Sequence, residues 1–336
     1  MQTWVESGLV PDALLRGGIR RLLAERLRDE AARAPEERER FLASMDAAPI
    51  AIETAAANEQ HYEVDADFYG LCLGPHRKYS CCWFETPTTD LATAEAAMLA
   101  LTSQRADLRD GQRILELGCG WGSLTLWMAA HYPNARITAV SNSASQRRYI
   151  EGELARRGLA NVTVSTRDMN VFDTAERFDR VVSVEMFEHM RNWRALLKRV
   201  AGWLEPGGAF FAHVFVHGRY TYPFEVEGEE NWLGRHFFTG GLMPADDLFA
   251  RFQDELELRE HWRVNGVHYQ RTAEAWLANL DRERERALPV LARCYGDSRA
   301  KAWLENWRVF FMACAELWGY RGGEEWFVSH YRMHKR

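Results

Sequence analysis

Glu116-Leu117-Gly118-Cys119-Gly120-Trp121-Gly122 follows the apolar pair Ile114-Leu115 and runs into the helix-like stretch 123–130. The order is a strand, an acidic residue at its end, a turn through three glycines, and a helix. Gly118, Gly120 and Gly122 lack a Cβ, so the backbone can turn sharply and approach a ligand closely. In an open α/β sheet, ligands bind beyond the carboxyl ends of the strands, and this turn falls there.

Outward from the turn, strand and helix signals alternate. Candidate strands are 113–117, 136–141, 162–166, 178–185 and 209–215, separated by helical stretches near 124–131, 145–158 and 193–204. Glu205-Pro206-Gly207-Gly208 reads as a turn feeding the fifth strand. This alternation predicts a Rossmann-like α/β fold, a parallel sheet with helices on both faces. In that frame the glycine turn reads as an S-adenosylmethionine (SAM) site. Dinucleotide sites carry G-x-G-x-x-G inside a βαβ unit, whereas this chain has G-x-G-x-G with Glu116 just ahead. A tight turn that holds no ligand is the plainer alternative.

The flanks differ from this core. Residues 216–251 are rich in aromatics and glycine without clean periodicity, and a segment of that length is usually functional. We read it as a cap over the substrate. Helices are expected at 273–292 and 299–318, and a last strand at 325–333. Near the start, Ile19, Leu22, Leu23 and Leu27 recur at helical spacing among arginines until Pro35. Either this helix packs on the main body or a second subunit, giving a homodimer, or it touches a membrane. Glu25, Asp29 and Glu30 among the arginines weaken the membrane reading. The expected organisation is an N-terminal helical extension over 1–60 and a catalytic domain over 61–336.

Composition narrows the function classes. With 336 residues, 47% of them apolar, the chain can bury one large core or two modest ones. No apolar run reaches the length of a spanning helix, so no stable membrane insertion is expected. The first residues, Met1-Gln2-Thr3-Trp4, lack the pattern of a secretory signal. A net charge of −6 argues against nucleic acid as a partner. Cys72, Cys81, Cys82, Cys119, Cys294 and Cys314 show no C-x-x-C or metal spacing and read as reduced thiols of a cytoplasmic protein.

Several side chains fall at strand ends. Ser141, Asn142 and Ser143 close the second strand, and Gln146 opens the next helix. They offer short polar groups for ribose hydroxyls, and Ser143 also suits an ordinary N-cap. Asp168 follows the third strand, where it can accept from the adenine amino group with Met169 against the ring; an exposed loop aspartate is the alternative. The fourth strand leads into Glu185-Met186-Phe187-Glu188-His189-Met190. Two carboxylates and an imidazole there are costly to bury without partners. They can bind a cation, take a proton, or orient the base.

Longer blocks carry a family resemblance along nearly the whole chain. Gly8-Leu9-Val10-Pro11-Asp12, Tyr79-Ser80-Cys81-Cys82-Trp83-Phe84, the glycine turn, residues 184–190, Phe237-Phe238-Thr239-Gly240-Gly241, residues 264–269 and Gly319-Tyr320 with Gly323-Glu324-Glu325-Trp326 resemble the cyclopropane-fatty-acid-synthase-like methyltransferases. Within that family they resemble the coclaurine N-methyltransferase branch. The resemblance implies that Tyr79 and Ser80 belong to the SAM site. It also implies that the synthases' bicarbonate base would be held here by Cys81, Glu188, His213 and Tyr269. Two departures favour the amine branch. Glu185 stands where the synthases usually have glycine, and Phe215 where they typically have isoleucine. Glu185, Glu188 and His189 are then implied to line an amine pocket, with Glu188 and His189 nearest to proton transfer.

The leading expectation is SAM-dependent N-methylation of a small amine. Tyr220, Tyr222, Phe224, Trp232, Phe237 and Phe238 of the cap are candidates to surround a cation, or simply to form the cap's own core. The competing expectation is methyl transfer to a lipid alkene with bicarbonate as base. The acidic run Glu225, Glu227, Glu229 and Glu230 fits an anionic bilayer poorly. A SAM-binding regulator without activity would leave residues 185–189 idle.

Overall fold

The computed structural model describes residues 6, 8–52, 64–224 and 240–336. Four helices precede the sheet: α1 (Asp12–Ala32), α2 (Pro35–Ala47), α3 (Ala66–Cys72) and α4 (Leu91–Arg105). The alternating core follows as β1 (Arg113–Leu117), α5 (Ser123–His131), β2 (Arg136–Ser141), α6 (Ala144–Arg157), β3 (Val162–Thr166), β4 (Phe178–Val184), α7 (Trp193–Trp203) and β5 (Leu204–His217). Then come two short strands, β6 (Tyr222–Pro223) and β7 (Leu242–Met243), and β8 (Leu256–Val264). Three helices, α8 (Val267–Arg282), α9 (Arg284–Tyr295) and α10 (Ala300–Gly319), lead to β9 (Trp326–Lys335).

The sheet has the order β3-β2-β1-β4-β5-β9-β8. The first five strands are parallel, and β9 runs antiparallel between β5 and β8. The strand order reverses between β1 and β4, and the crevice beyond their carboxyl ends is where such sheets bind ligands. Trp193, Leu196, Leu197 and Val200 of α7 cover one face, over Val181 and Phe210. Leu124 and Met128 of α5 with Ile150 and Leu154 of α6 cover the other, over Ile137, Val164 and Phe211.

The expected strands fall in place, with informative differences at their ends. β4 stops at Val184 because Glu185 turns into the left-handed region at φ +48°. The turn at Glu205–Gly208 loops out of a longer β5: Phe178 pairs with Leu204, and pairing resumes at Arg180 with Ala209. β8 escaped the periodicity because charged residues alternate along this edge strand. The single helix expected at 273–292 is two, parted at Glu283, and the first begins at Val267.

A third apolar cluster joins Trp276 of α8 to Trp307, Phe310, Phe311 and Trp318 of α10. Leu15, Ile19, Leu23 and Leu27 of α1 rest on it, while Leu22 is 45% exposed. Arg16 bridges Glu274 (2.6 Å) and Glu316 (3.0 Å), and Arg308 pairs with Asp12 at 2.9 Å. The arginines of α1 thus meet carboxylates of this chain. Among the described residues, no helix is long and apolar enough to cross a membrane.

Candidate active site

A cavity opens at the carboxyl ends of β1 and β4. Of the residues expected to bind the cofactor, Tyr79, Ser80, Glu116, Gly118, Gly120 and Gln146 line it. Gly118 and Gly122 are needed for two different reasons. A Cβ on Gly118 would lie 2.8 Å from Met186 Cβ, and one on Gly122 2.6 Å from Ile150 Cγ1. Gly122 also takes a φ of +78° as the N-cap of α5. The first clash fixes the turn against the 185–189 segment, and the second sets α5 close on α6.

Glu116 is buried, and the Thr125 hydroxyl donates to its Oε2 at 2.5 Å. Burial pushes its carboxyl up to about 8, with Thr125 pulling the other way. Ser141 lies outside the cavity lining but orients a residue within it, because its hydroxyl donates to Gln146 Oε1 at 2.7 Å. That leaves the Gln146 Nε2 donor buried without a partner among the described residues. Ser123 Oγ, Thr102 Oγ1 and Trp121 Nε1 line the same cavity in the same condition. Buried polar atoms normally find partners. A polar ligand with hydroxyls and ring nitrogens supplies them, so the residues present fit the adenosyl group of SAM.

Asn142, Asp168 and Met169 do not line the cavity. Asp168 accepts from the Asn170 backbone at 2.8 Å, and Met169 packs into the sheet core. One carboxylate oxygen of Asp168 is thus engaged by its own turn. Ser143 does cap α6, accepting from Gln146 N at 3.3 Å.

The other expected group converges on Glu185. Its Oε1 accepts from the Cys81 backbone N–H at 3.0 Å and from His213 Nε2 at 3.1 Å. Its Oε2 accepts from the Tyr269 hydroxyl at 2.6 Å. Burial pushes this carboxyl up, while Lys78, the Tyr269 hydroxyl and the Cys81 amide pull it down. Cys81 contributes its backbone; its thiol contacts the Cys82 carbonyl at 3.4 Å. Burial also raises the Tyr269 hydroxyl and lowers His213.

Glu188 is fully buried and stands behind the cavity wall. Its Oε1 accepts from Phe215 N–H at 2.7 Å, and its Oε2 has no partner among the described residues. Burial pushes its carboxyl well up, and the Glu185 charge adds to this. His189 lines the cavity, and burial lowers it to about 4 against the pull of Glu185. His189 is therefore neutral at pH 7.

Tyr220, Tyr222 and Phe224 do not line the cavity, which matches the plainer of the two readings of the cap aromatics. Tyr222 accepts from Trp326 Nε1 at 2.9 Å, and Tyr220 stacks on His217. Trp232, Phe237, Phe238 and the four glutamates of the cap lie outside the described residues. The aromatic wall comes instead from Phe215, Tyr269, Trp276, Phe310 and Trp318. Tyr269 stacks on Trp318 with centroids 4.7 Å apart. Trp276, Phe310 and Trp318 read as ordinary helix core in the sequence, whereas Tyr269 and Phe215 were singled out there by the family resemblance.

The sequence reading also passed over Lys78. It is buried, and its Nζ donates to Ser80 Oγ at 2.5 Å. Its loop is held by Glu95, which accepts from the backbone N–H groups of Gly74, His76 and Lys78. Adjacency to Tyr79-Ser80 was the available signal.

Comparison with known proteins agrees with this geometry. The family model for mycolic acid cyclopropane synthetase matches residues 51–322. The chain is 37% identical to (S)-coclaurine N-methyltransferase of Thalictrum flavum subsp. glaucum, over 99% of this chain and 94% of that one. It is 33% identical to (S)-coclaurine N-methyltransferase of Papaver somniferum, over 99% of this chain and 97% of that one. The crystal structure of coclaurine N-methyltransferase bound to N-methylheliamine and SAH superposes with a TM-score of 0.95 at 36% identity, covering 99% of this chain and 98% of that one. The chain therefore belongs to the mycolic acid cyclopropane synthetase family, as a coclaurine N-methyltransferase-like, SAM-dependent methyltransferase.

Proposed function

We propose that the acceptor is the nitrogen of a small arylalkylamine or tetrahydroisoquinoline-like amine, and that Glu185 anchors it. The observation that carries this reading is the destination of three donors. Cys81 N–H, His213 and Tyr269 all point at the Glu185 carboxylate. The resemblance would give Cys81, His213 and Tyr269 to a bicarbonate ion, yet here a side chain of the chain itself takes the anion's place. A negative charge fixed beside the cavity suits an ammonium group, and the aromatic residues Phe215, Tyr269 and Trp318 line the same cavity. Both plant relatives are named as N-methyltransferases of (S)-coclaurine, which supports a nitrogen acceptor.

SAM supplies an electrophilic methyl group on a sulfonium. The residues of the chain must make the amine a nucleophile. An alkylamine with a pKa near 10 is only about one part in a thousand neutral at pH 7. An ordinary carboxyl lies about six units below such an amine, which costs about 1.36 kcal/mol per unit in proton transfer. Burial raises Glu188 and narrows that gap. Glu188, whose Oε2 has no partner among the described residues, is the proton's destination, and neutral His189 on the cavity lining passes it on without holding it. Positioned bases of this kind contribute roughly 10²–10⁴-fold in rate.

The alternative is cyclopropanation or C-methylation of a lipid through a bound bicarbonate. It loses support because the donors such an ion requires are engaged by Glu185. Incubation with trideuteromethyl SAM separates the two. An amine panel and unsaturated phospholipid vesicles are offered together, and products are read by mass spectrometry. An amine that gains all three deuteriums is the expected outcome. A lipid that gains a methylene with two deuteriums, with the amines untouched, overturns the proposal.

A further inference from the structure

Behind Glu185 lies a row of groups that the reaction does not touch. His213 on β5 and His330 on β9 are direct partners across the antiparallel pair, and both are fully buried. His330 Nε2 lies 2.9 Å from His213 Nδ1, and the ring centroids are 4.6 Å apart. His330 Nδ1 lies 2.9 Å from Arg105 Nη1, at the last residue of α4. Arg105 sits over the ring of Trp262, the residue paired with His330 on β8.

The direction of this row follows from the chemistry of its end. A guanidinium has only N–H donors and keeps its proton. His330 Nδ1 must therefore accept, which places the His330 proton on Nε2. His213 Nδ1 must accept that proton, which places its own on Nε2, facing Glu185. Reversal would leave a bare imidazole nitrogen 3.1 Å from a carboxylate oxygen with no hydrogen between them. Lys78 and Arg105 bear on both rings, and burial holds the rings neutral, so neither supplies a second proton.

The geometry points to Arg105 and His330 as positioning residues that fix His213 as a permanent donor, so that Glu185 stays a bare carboxylate for a cationic acceptor. The role rests on the amine reading above. It also distinguishes Glu185 from Glu188: three donors favour the charged form of Glu185, whereas Glu188 receives one from Phe215 and its Oε2 has no partner among the described residues. Glu185 is therefore the anchor, and proton transfer falls to Glu188 and His189.

The test reads tautomers directly. The chain has eleven histidines. Protein with ¹⁵N-labelled imidazoles, bound to SAH, is examined by long-range ¹H–¹⁵N correlation, with His213→Gln and His330→Gln assigning the signals. Both rings are expected to carry one proton, on Nε2, unchanged from pH 6 to pH 8.5. Arg105→Met releases the direction, giving mixed or reversed tautomers and an amine KM raised ~3–30-fold with SAH affinity unchanged. Arg105→Lys restores both readouts in part. His330→Gln, which keeps a donor for His213, is expected to retain more activity than His330→Phe. If the phenylalanine variant does not fold, the arginine variants carry the test. Nδ1–H at either ring in the wild type, titration within that range, or an Arg105→Met protein unchanged in both tautomers and KM overturns the inference. A wild type that methylates no amine while both rings hold Nε2–H overturns the amine reading and the anchoring role, and leaves the donor row intact.

Discussion

At the scale of single residues, two buried carboxylates predict opposite behaviour. Glu185→Gln keeps the shape and removes the charge that faces the acceptor. Leaving one partner of a buried charge pair alone costs about 3–5 kcal/mol, so kcat/KM for the amine should fall by about 10²-fold or more. SAH, uncharged at sulfur, should bind within about threefold of the wild type by calorimetry. Glu116 is held near 8 by burial, against 4.5 for its ordinary value. Between those values the folded state keeps a proton that the unfolded chain releases. Stability therefore falls as pH rises through that window. Glu116→Gln should accordingly raise the melting temperature of the cofactor-free protein, by an amount that grows from pH 5 to pH 8 and then levels. Above pH 8, where Glu116 is ionised, the same variant should also lose about tenfold or more in SAM affinity, a charge-assisted hydrogen bond being worth about 1.5–3 kcal/mol. Both carboxylates were legible in the sequence because each ends a strand. The Arg105–His330 row was not, since His330 lies 117 positions from His213 and only the register of β9 unites them.

At the scale of the element, the glycine turn separates folding from binding. Gly122 has a φ of +78° and no room for a Cβ beside Ile150. Gly122→Ala should destabilise by about 2–4 kcal/mol, from strain and overpacking together. Gly120 has a φ of +52° with open space around it. Gly120→Ala should cost only about 1–2 kcal/mol in stability while weakening SAM binding, since its methyl group projects where nothing of the chain stands. Melting curves and cofactor titrations on the two variants should rank them in opposite orders. The βα alternation was readable because the inner parallel strands β1, β4 and β5 are largely buried on both faces and stand out as apolar runs. β8 was not, because an edge strand with Glu257, Arg259 and Arg263 exposes charge along its length. The aromatic wall was misplaced for a related reason: a tryptophan lining a cavity and one filling a core have the same spacing on a helix.

For the whole molecule, α1 joins the C-terminal helices that wall the site. Arg16 is mostly buried between Glu274 of α8 and Glu316 of α10. Arg16→Met should lower stability by about 1–3 kcal/mol, because it takes the cation from Glu274 and leaves Glu316 with Arg20 alone. The loss should persist at 0.5 M salt, unlike that of an exposed pair, as thermal melts at two ionic strengths will show. The helix itself was visible in the leucine spacing, but its docking partner was not, since the two lie some 260–300 positions apart in sequence. Glu185 has one more consequence. Its backbone stands at φ +48°, a region glycine enters freely and glutamate enters at a cost of about 1–2 kcal/mol. The codons for the two residues differ by a single base. On the reading proposed above, a chain that borrows its anion as bicarbonate is one point mutation from a chain that encodes it, and a small loss of stability rather than a new fold lies between them.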